Sequence, residues 1–316
     1  MNRLAIVIPC YNEESVLPAT VPLFLAKLEK LVAAGMVAAD SFILLCNDGS
    51  RDGTWKVIGE MAAADRRIHG LSLSRNRGHQ NVLLAGLMEA KREADVAVSM
   101  DCDGQDDINA IDEMLQKFKS GADIVYGVRG RRETDTWFKR VTAESFYKLL
   151  RWLGADVVYN HADYRLTSRR FLDELEKFGE VNLFLRGLMP LVGFKSDIVY
   201  YARSERVAGE SHYPVMKMLN FAWDGITSLS VRPLRLIACL GVFMAVLSLI
   251  MIVWCFISYF ADRVVPGWAS HVIISCLIGG VQLVSIGVLG EYVGKIYLEV
   301  KRRPRYIINE RTKTND

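Results

Sequence analysis

Val96-Ala97-Val98-Ser99-Met100-Asp101-Cys102-Asp103-Gly104-Gln105-Asp106 is a short apolar run that turns abruptly acidic. Its first five residues read as a buried strand, being short, apolar and rich in valine. The two aspartates that follow, at i and i+2, fall in a turn rather than on the strand's two faces. There they can converge on one cation, and hard carboxylate oxygens suit Mg²⁺ or Mn²⁺. A nucleotide diphosphate can supply the remaining ligands, and the ion then neutralises charge that builds on a departing diphosphate. A solvated turn has the same composition. The Val-rich strand before it and Gln105 at the next alternate position favour the metal reading, with Asp101, Asp103 and Gln105 as the holding set.

Outward from this stretch, short apolar runs alternate with amphipathic ones from Arg3 to about Tyr126. Leu4–Pro9, Phe42–Cys46, Ile68–Leu73 and Ile124–Val128 read as strands. Ser15–Ala34, Thr54–Ala64, His79–Arg92 and Ile108–Lys119 carry helical periodicity. The alternation predicts an α/β fold, a mostly parallel sheet with helices on both faces. Such sheets bind ligands beyond the carboxyl ends of their strands. That rule singles out Tyr11–Glu14, Asn47–Asp52, Asp101–Asp106 and Arg129–Arg132. Tyr11 can stack on a base, and Asp48 can accept from a base or ribose. Asp and Ser ahead of a helix are equally ordinary caps and turn residues. The section from Thr134 to Tyr213 is harder to parse, with helical patterns at Phe138–Leu153 and Ser168–Phe178.

The chain has 316 residues, 51% hydrophobic and 24% charged, with a net charge of +3. That charge is too weak to indicate nucleic acid as a partner. The mean hydropathy of +0.16 averages two unlike regions. Leu236–Phe260 holds no charge over 25 residues, and Val264–Gly290 is a second uncharged stretch. As a helix the first would run about 37 Å, enough to cross a hydrocarbon core of about 30 Å with some tilt. The reading is a helical hairpin, with spans at 233–262 and 266–290. A cytosolic domain (1–215) and a membrane-proximal amphipathic segment (216–232) precede it, and a basic cytosolic tail (291–316) follows. Arg232 and Arg235 precede the first span, and Lys295, Lys301, Arg302, Arg303 and Arg305 follow the second. The connecting loop has only Arg263. The positive-inside rule places both termini in the cytosol, and the tail is attracted to anionic headgroups. Leu4–Cys10 lacks the cleavage site of a signal peptide. The six cysteines form no C-x-x-C pair and read as free thiols. Gly290 and Gly294 form a small-x-x-x-small pair that allows helices to approach, so a homo-oligomer is open.

The series Pro9-x-Tyr11-Asn12-Glu13-Glu14, then Asp48-Gly49-Ser50-x-Asp52-Gly53-Thr54, then Asp101-x-Asp103-x-Gln105 resembles the family 2 glycosyltransferases of GT-A (Rossmann-like) fold. Dolichol-phosphate mannose synthases and bacterial polyprenyl-phosphate (bactoprenol) glucosyltransferases share it. Trp137–Arg140, Asp163–Leu166, Arg206-x-x-Gly209-Glu210-Ser211-x-Tyr213, Asp224–Ser228 and Gly290–Tyr297 match the bacterial subgroup, so the resemblance covers nearly the whole chain. It implies a nucleotide-sugar donor, a polyprenyl phosphate acceptor, a divalent cation and the bacterial inner membrane. It assigns the nucleotide-sugar to Pro9, Tyr11, Glu13, Asn47, Asp48 and Asp101, and the metal to Asp101, Asp103 and Gln105. Arg129, Arg140 and Arg206 fall to the acceptor phosphate, and Asp103, Asp163 and Arg140 to the transfer. Three departures stand out: Asn47 replaces the usual first Asp of Asp-Asp-Gly-Ser, Gly104 and Asp107 alter the metal turn, and His212 replaces a common Lys.

A phosphomonoester acceptor has a second pKa near 6 and is largely dianionic at pH 7. It is already a nucleophile, and what it needs is to be brought beside another polyanion. Arg129, Arg131, Arg132, Arg140, Arg203 and Arg206 against Asp101 and Asp103 offer both counter-charges, although a solvated basic face would explain some of the arginines. In-line displacement inverts the anomeric carbon. Asp163 orients the acceptor, acts as a base, or pairs structurally with Arg165. UDP-glucose is preferred as donor by resemblance alone, with UDP-aminoarabinose and GDP-mannose as alternatives. A polysaccharide synthase is disfavoured for want of a Q-x-x-R-W motif. A non-catalytic membrane scaffold that senses nucleotide-sugars is disfavoured by the intact Asp101/Asp103 pair.

Overall fold

A computed structural model describes residues 1–130, 161–202, 227, 230–260 and 267–312. The first half alternates as the sequence predicts: β1 (Leu4–Cys10), α1 (Leu17–Ala33), β2 (Phe42–Asn47), α2 (Thr54–Ala64), β3 (Ile68–Leu73), α3 (His79–Ala90), β4 (Val96–Ser99), α4 (Ala110–Lys119) and β5 (Ile124–Arg129). Then follow β6 (His161–Ser168), α5 (Arg169–Glu176), α6 (Leu185–Leu191) and β7 (Ser196–Tyr201). Two long helices, α7 (Arg232–Phe260) and α8 (Trp268–Lys301), and a last strand, β8 (Ile308–Arg311), complete the chain.

The strands form one sheet in the order β7-β5-β6-β4-β1-β2-β3-β8. β1 pairs in parallel with β2 and β4, and β2 with β3. The central strands are apolar throughout because both faces are covered. On β1, Leu4, Ile6 and Ile8 enter the core under α1, α2 and α4. Ala5 and Val7, on its other face, pack with α3, α5 and α6. Gly86 lets α3 lie directly on the sheet, since a Cβ there would stand 2.5 Å from the Cys46 sulfur and 2.6 Å from Val7 Cγ1.

One irregularity of topology decides where the site forms. β6 runs antiparallel to both β4 and β5, between which it lies. Its amino end therefore lies at the sheet edge where the parallel strands have their carboxyl ends. β6, β7 and β8 were not among the expected strands. Each owes its place to partners distant in sequence, and β8 pairs antiparallel with β3 across the hairpin.

Helices α7 and α8 have 29 and 34 residues, about 44 and 51 Å by the helical rise. Apolar side chains along them, such as Phe243, Leu249, Trp254, Leu283 and Val284, are largely exposed. α8 runs on past Gly290 to Lys301 and ends at Arg302 in the left-handed conformation. Where the start of α7 meets the last third of α8, Tyr292 donates to the Ser230 carbonyl and Lys295 to the Thr227 hydroxyl.

Candidate active site

Two loops at the ends of β1 and β2 are stitched into one wall. The Asn12 amide donates to Ser50 Oγ at 3.0 Å, and Asn12 Oδ1 accepts from the Arg51 amide at 2.9 Å. Glu13 N–H donates to Thr54 Oγ1, while Glu14 accepts from the Gly53 amide at 2.8 Å. Asn12 adopts φ 56°, a left-handed turn that Asn tolerates. Tyr11 stands on this wall 40% exposed, and Pro9, two residues before it on β1, is in register with Cys46.

Asn47 and Asp48 are buried, and their side chains are engaged with the protein. Asn47 donates to Ser72 Oγ at 2.9 Å and accepts from the Ser50 amide. Asp48 accepts from the amides of Arg77 at 2.7 Å and Gly78 at 2.9 Å. Burial pushes its carboxyl above the ordinary range, against the lowering effect of those amides. Gly49, at φ 61°, sits where a Cβ would meet the Arg75 backbone at 2.5 Å. These two residues thus fold the 75–78 loop over the end of β2.

The acidic turn follows β4. Gly104 takes φ 68°, a conformation open to glycine, and the Gln105 amide donates to Asp103 Oδ1 at 3.1 Å. Behind the turn, the Tyr201 hydroxyl donates to Asp106 at 2.6 Å and the Tyr164 hydroxyl to the Asp107 carbonyl at 2.9 Å. Among the described residues no group of three or more His, Cys, Asp or Glu converges as a metal cage. The carboxylates of Asp101 and Asp103 are hard donors fit to share a divalent ion with a ligand's oxygens.

Asp163 lies at the amino end of β6, beside this turn, and three groups hold its carboxylate. Arg165, fully buried, donates to Oδ1, and Arg186 from α6 spans both oxygens at 3.2 and 2.9 Å. His79, the first residue of α3, places Nε2 3.3 Å from Asp163 and 3.8 Å from Asp101. Burial alone would raise the Asp163 pKa. The His79 hydrogen bond and the two guanidinium charges outweigh it and hold the carboxyl well below the usual range. Burial likewise disfavours charge on His79, but Asp163 and Asp101 prevail and raise its pKa.

The structure therefore gathers Pro9, Tyr11, Glu13, Asn47, Asp48, Asp101, Asp103, Gln105 and Asp163 along one edge. Arg129 closes β5 at the same edge, opposite Tyr201. Arg140 and Arg206, with Arg131, Arg132, Arg203 and His212, lie outside the described residues. The sequence reading did not single out His79 or Arg186. His79 opens α3 after the loop that leaves the carboxyl end of β3, so the carboxyl-end rule applies to it as well. Arg186 arrives from a section without clear periodicity.

The profile of glycosyl transferase family 2 matches residues 5–176, more than half of the chain. The chain belongs to glycosyltransferase family 2. A second profile, the GtrB C-terminal hairpin, matches residues 232–296 and spans most of both long helices. The enzyme is 47% identical to the uncharacterized glycosyltransferase YkoT of Bacillus subtilis, over 97% of this chain and 91% of that one. It is 38% identical to the SfII prophage-derived bactoprenol glucosyl transferase of Shigella flexneri, over 99% of each chain. Among solved structures, a glucosyl-3-phosphoglycerate synthase of Mycobacterium tuberculosis overlays at a TM-score of 0.45 and 17% identity, over 72% of this chain and 78% of that one.

Proposed function

We propose that this glycosyltransferase moves glucose from UDP-glucose onto a polyprenyl phosphate such as undecaprenyl phosphate, inverting the anomeric carbon, at the cytosolic face of a bacterial inner membrane. The observation that carries this reading is the union, in one chain, of a family 2 domain with an exposed apolar hairpin. A polyprenyl tail stays in the bilayer, so only its phosphate has to reach the protein. The full-length likeness to a protein named bactoprenol glucosyl transferase supports both acceptor and sugar. The arginines and lysines flanking the hairpin support a topology with both termini in the cytosol.

In this reading each candidate residue has a role. Tyr11, Pro9 and Glu13 line the nucleoside wall, while Asp48 shapes it by fixing the 75–78 loop and Asn47 by tying Ser50 to Ser72. Asp101 and Asp103, with Gln105 beside them, would hold Mg²⁺ or Mn²⁺, which offsets charge on the leaving diphosphate. Arg129, Arg140 and Arg206 are assigned to the acceptor phosphate. Asp163, held well below the usual carboxylate range, is a far weaker base than a phosphate dianion with pKa near 6. It therefore serves to fix Arg186 and His79 beside the acidic turn rather than to take a proton.

The test is a donor panel of radiolabelled nucleotide-sugars with polyprenyl phosphate in detergent or vesicles, with and without each divalent ion. UDP-glucose should label the lipid, and Asp103→Ala should lower kcat by about two to three orders of magnitude. Label from no donor under any ion condition would sink the proposal. Full activity of Asp103→Ala would remove the assigned role of the acidic turn.

A further inference from the structure

Glu299 occupies an unfavourable place for a carboxylate, the last turn of α8, where the helix dipole presents its negative end. Its contacts explain it. Oε2 accepts from the Val181 amide at 2.9 Å and Oε1 from the next amide, Asn182, at 2.7 Å. A carboxylate that takes two successive backbone N–H groups fixes both position and direction of that segment. Just beyond the helix, Arg305 donates to the Phe178 carbonyl, so the stretch is gripped at a second point. The other end of the stretch belongs to the site. Leu185 N–H donates to Gln80 Oε1 at 2.6 Å, next to His79, and Arg186 spans the Asp163 carboxylate. Residues 178–184 have no helix or strand of their own to hold them. Polar contacts to α8 hold this stretch on one side, and Gln80 and Asp163 hold the residues that follow it.

We infer that Glu299 is a positioning residue for sugar transfer: it clamps the 181–186 segment to the end of the membrane hairpin and so sets Arg186 against Asp163 beside the acidic turn. The inference rests on the transferase reading for its kinetic consequence, but its geometric half stands alone. Glu299 touches neither the acidic turn nor the nucleoside wall, so its effect passes through Arg186. A shift of about 1 Å in such a support can cost up to about a hundredfold in rate.

The experiment uses the full-length enzyme in detergent or nanodiscs and the variants Glu299→Ala, Glu299→Gln, Arg186→Ala and the double variant Glu299→Ala/Arg186→Ala. Glu299→Ala should lower kcat by at least about tenfold, with KM for the nucleotide-sugar changed less than threefold. Glu299→Gln, which keeps one acceptor oxygen, should fall between it and wild type. The double variant should be no slower than Arg186→Ala, because both changes disable one device. Amide hydrogen exchange should quicken in peptides covering 181–186 and stay unchanged in β1 and β2. Wild-type kcat in Glu299→Ala, or losses that multiply in the double variant, would overturn the inference. If Glu299→Ala does not fold, Glu299→Gln carries the same comparison. If wild type transfers no sugar at all, the proposed function fails by itself. Exchange then decides the clamp, and unchanged protection at 181–186 rejects it.

Discussion

At Asp163 one carboxylate meets two guanidinium groups and an imidazole, and these contacts shape how the site responds to pH. Its folded pKa lies well below the unfolded value of about 3.9, so it contributes stability above that value and loses it as pH falls through the folded pKa. Asp163→Asn should flatten this acid limb of the denaturation midpoint against pH. It should also cost about 3–5 kcal/mol near neutrality, because Arg165 remains buried without its counter-charge. An unchanged acid limb would show that other carboxylates set it. His79 works with the opposite sign. Its pKa is raised, so its contribution is complete below about pH 6.5 and is lost as pH rises through the higher folded value. In metal-free enzyme His79→Asn should therefore remove part of the decline in stability above pH 6.5. An unaltered slope there would count against the His79–Asp163 bond.

At the scale of elements, α3 connects core packing to chemistry, since it starts at His79 and lies on β1 and β2 through Gly86. Gly86→Val should push the helix off the sheet at Cys46 and Val7 and cost about 1–3 kcal/mol or more. It should also slow transfer, as His79 moves with the helix. A variant with lowered thermal midpoint but wild-type kcat would separate packing from positioning. The strands β1 to β4 were legible because each is a largely apolar run followed by its own helix, and β5 because it is a run of the same kind. The acidic turn was legible because it ends such a run. β6 was not, because His161–Ser168 carries Asp163, Arg165 and three hydroxyl residues, and the burial of Arg165 goes with its pairing to Asp163. β8 carries Asn309, Glu310 and Arg311, and nothing in so polar a run marks a strand until β3 supplies the partner. Of the candidate site, the strand-end residues stood out in the sequence, whereas the contacts of Arg186 and Glu299 join residues far apart in the chain.

At the scale of the molecule, the hairpin interrupts a domain rather than ending one. After α8 the chain returns to the sheet, where β8 covers the edge of β3, which would otherwise present unpaired backbone groups. Side chains reinforce the return: Trp55 Nε1 donates to Glu310 at 2.8 Å, Arg311 pairs with Glu89 at 2.6 Å, and Gly70 N–H donates to Thr312 Oγ1 at 2.8 Å. Truncation after Arg232 therefore removes more than an anchor, since it strips β8 and Glu299 as well. Such a variant should melt roughly 5 °C or more below wild type. Its transfer to long-chain lipid should fall far more than its affinity for nucleotide-sugar. Replacing residues 233–290 by an unrelated two-span hairpin, with everything from Glu291 onward retained, separates the two functions of the region. If the spans only hold the catalytic domain at headgroup depth, this chimera should keep the wild-type melting temperature and stay within about tenfold of wild-type transfer. A chimera that melts normally yet fails with long-chain acceptor as completely as the truncated enzyme would mean that the native spans contact the polyprenyl chain itself. The exposed apolar face of α7 and α8 would then be part of the acceptor site.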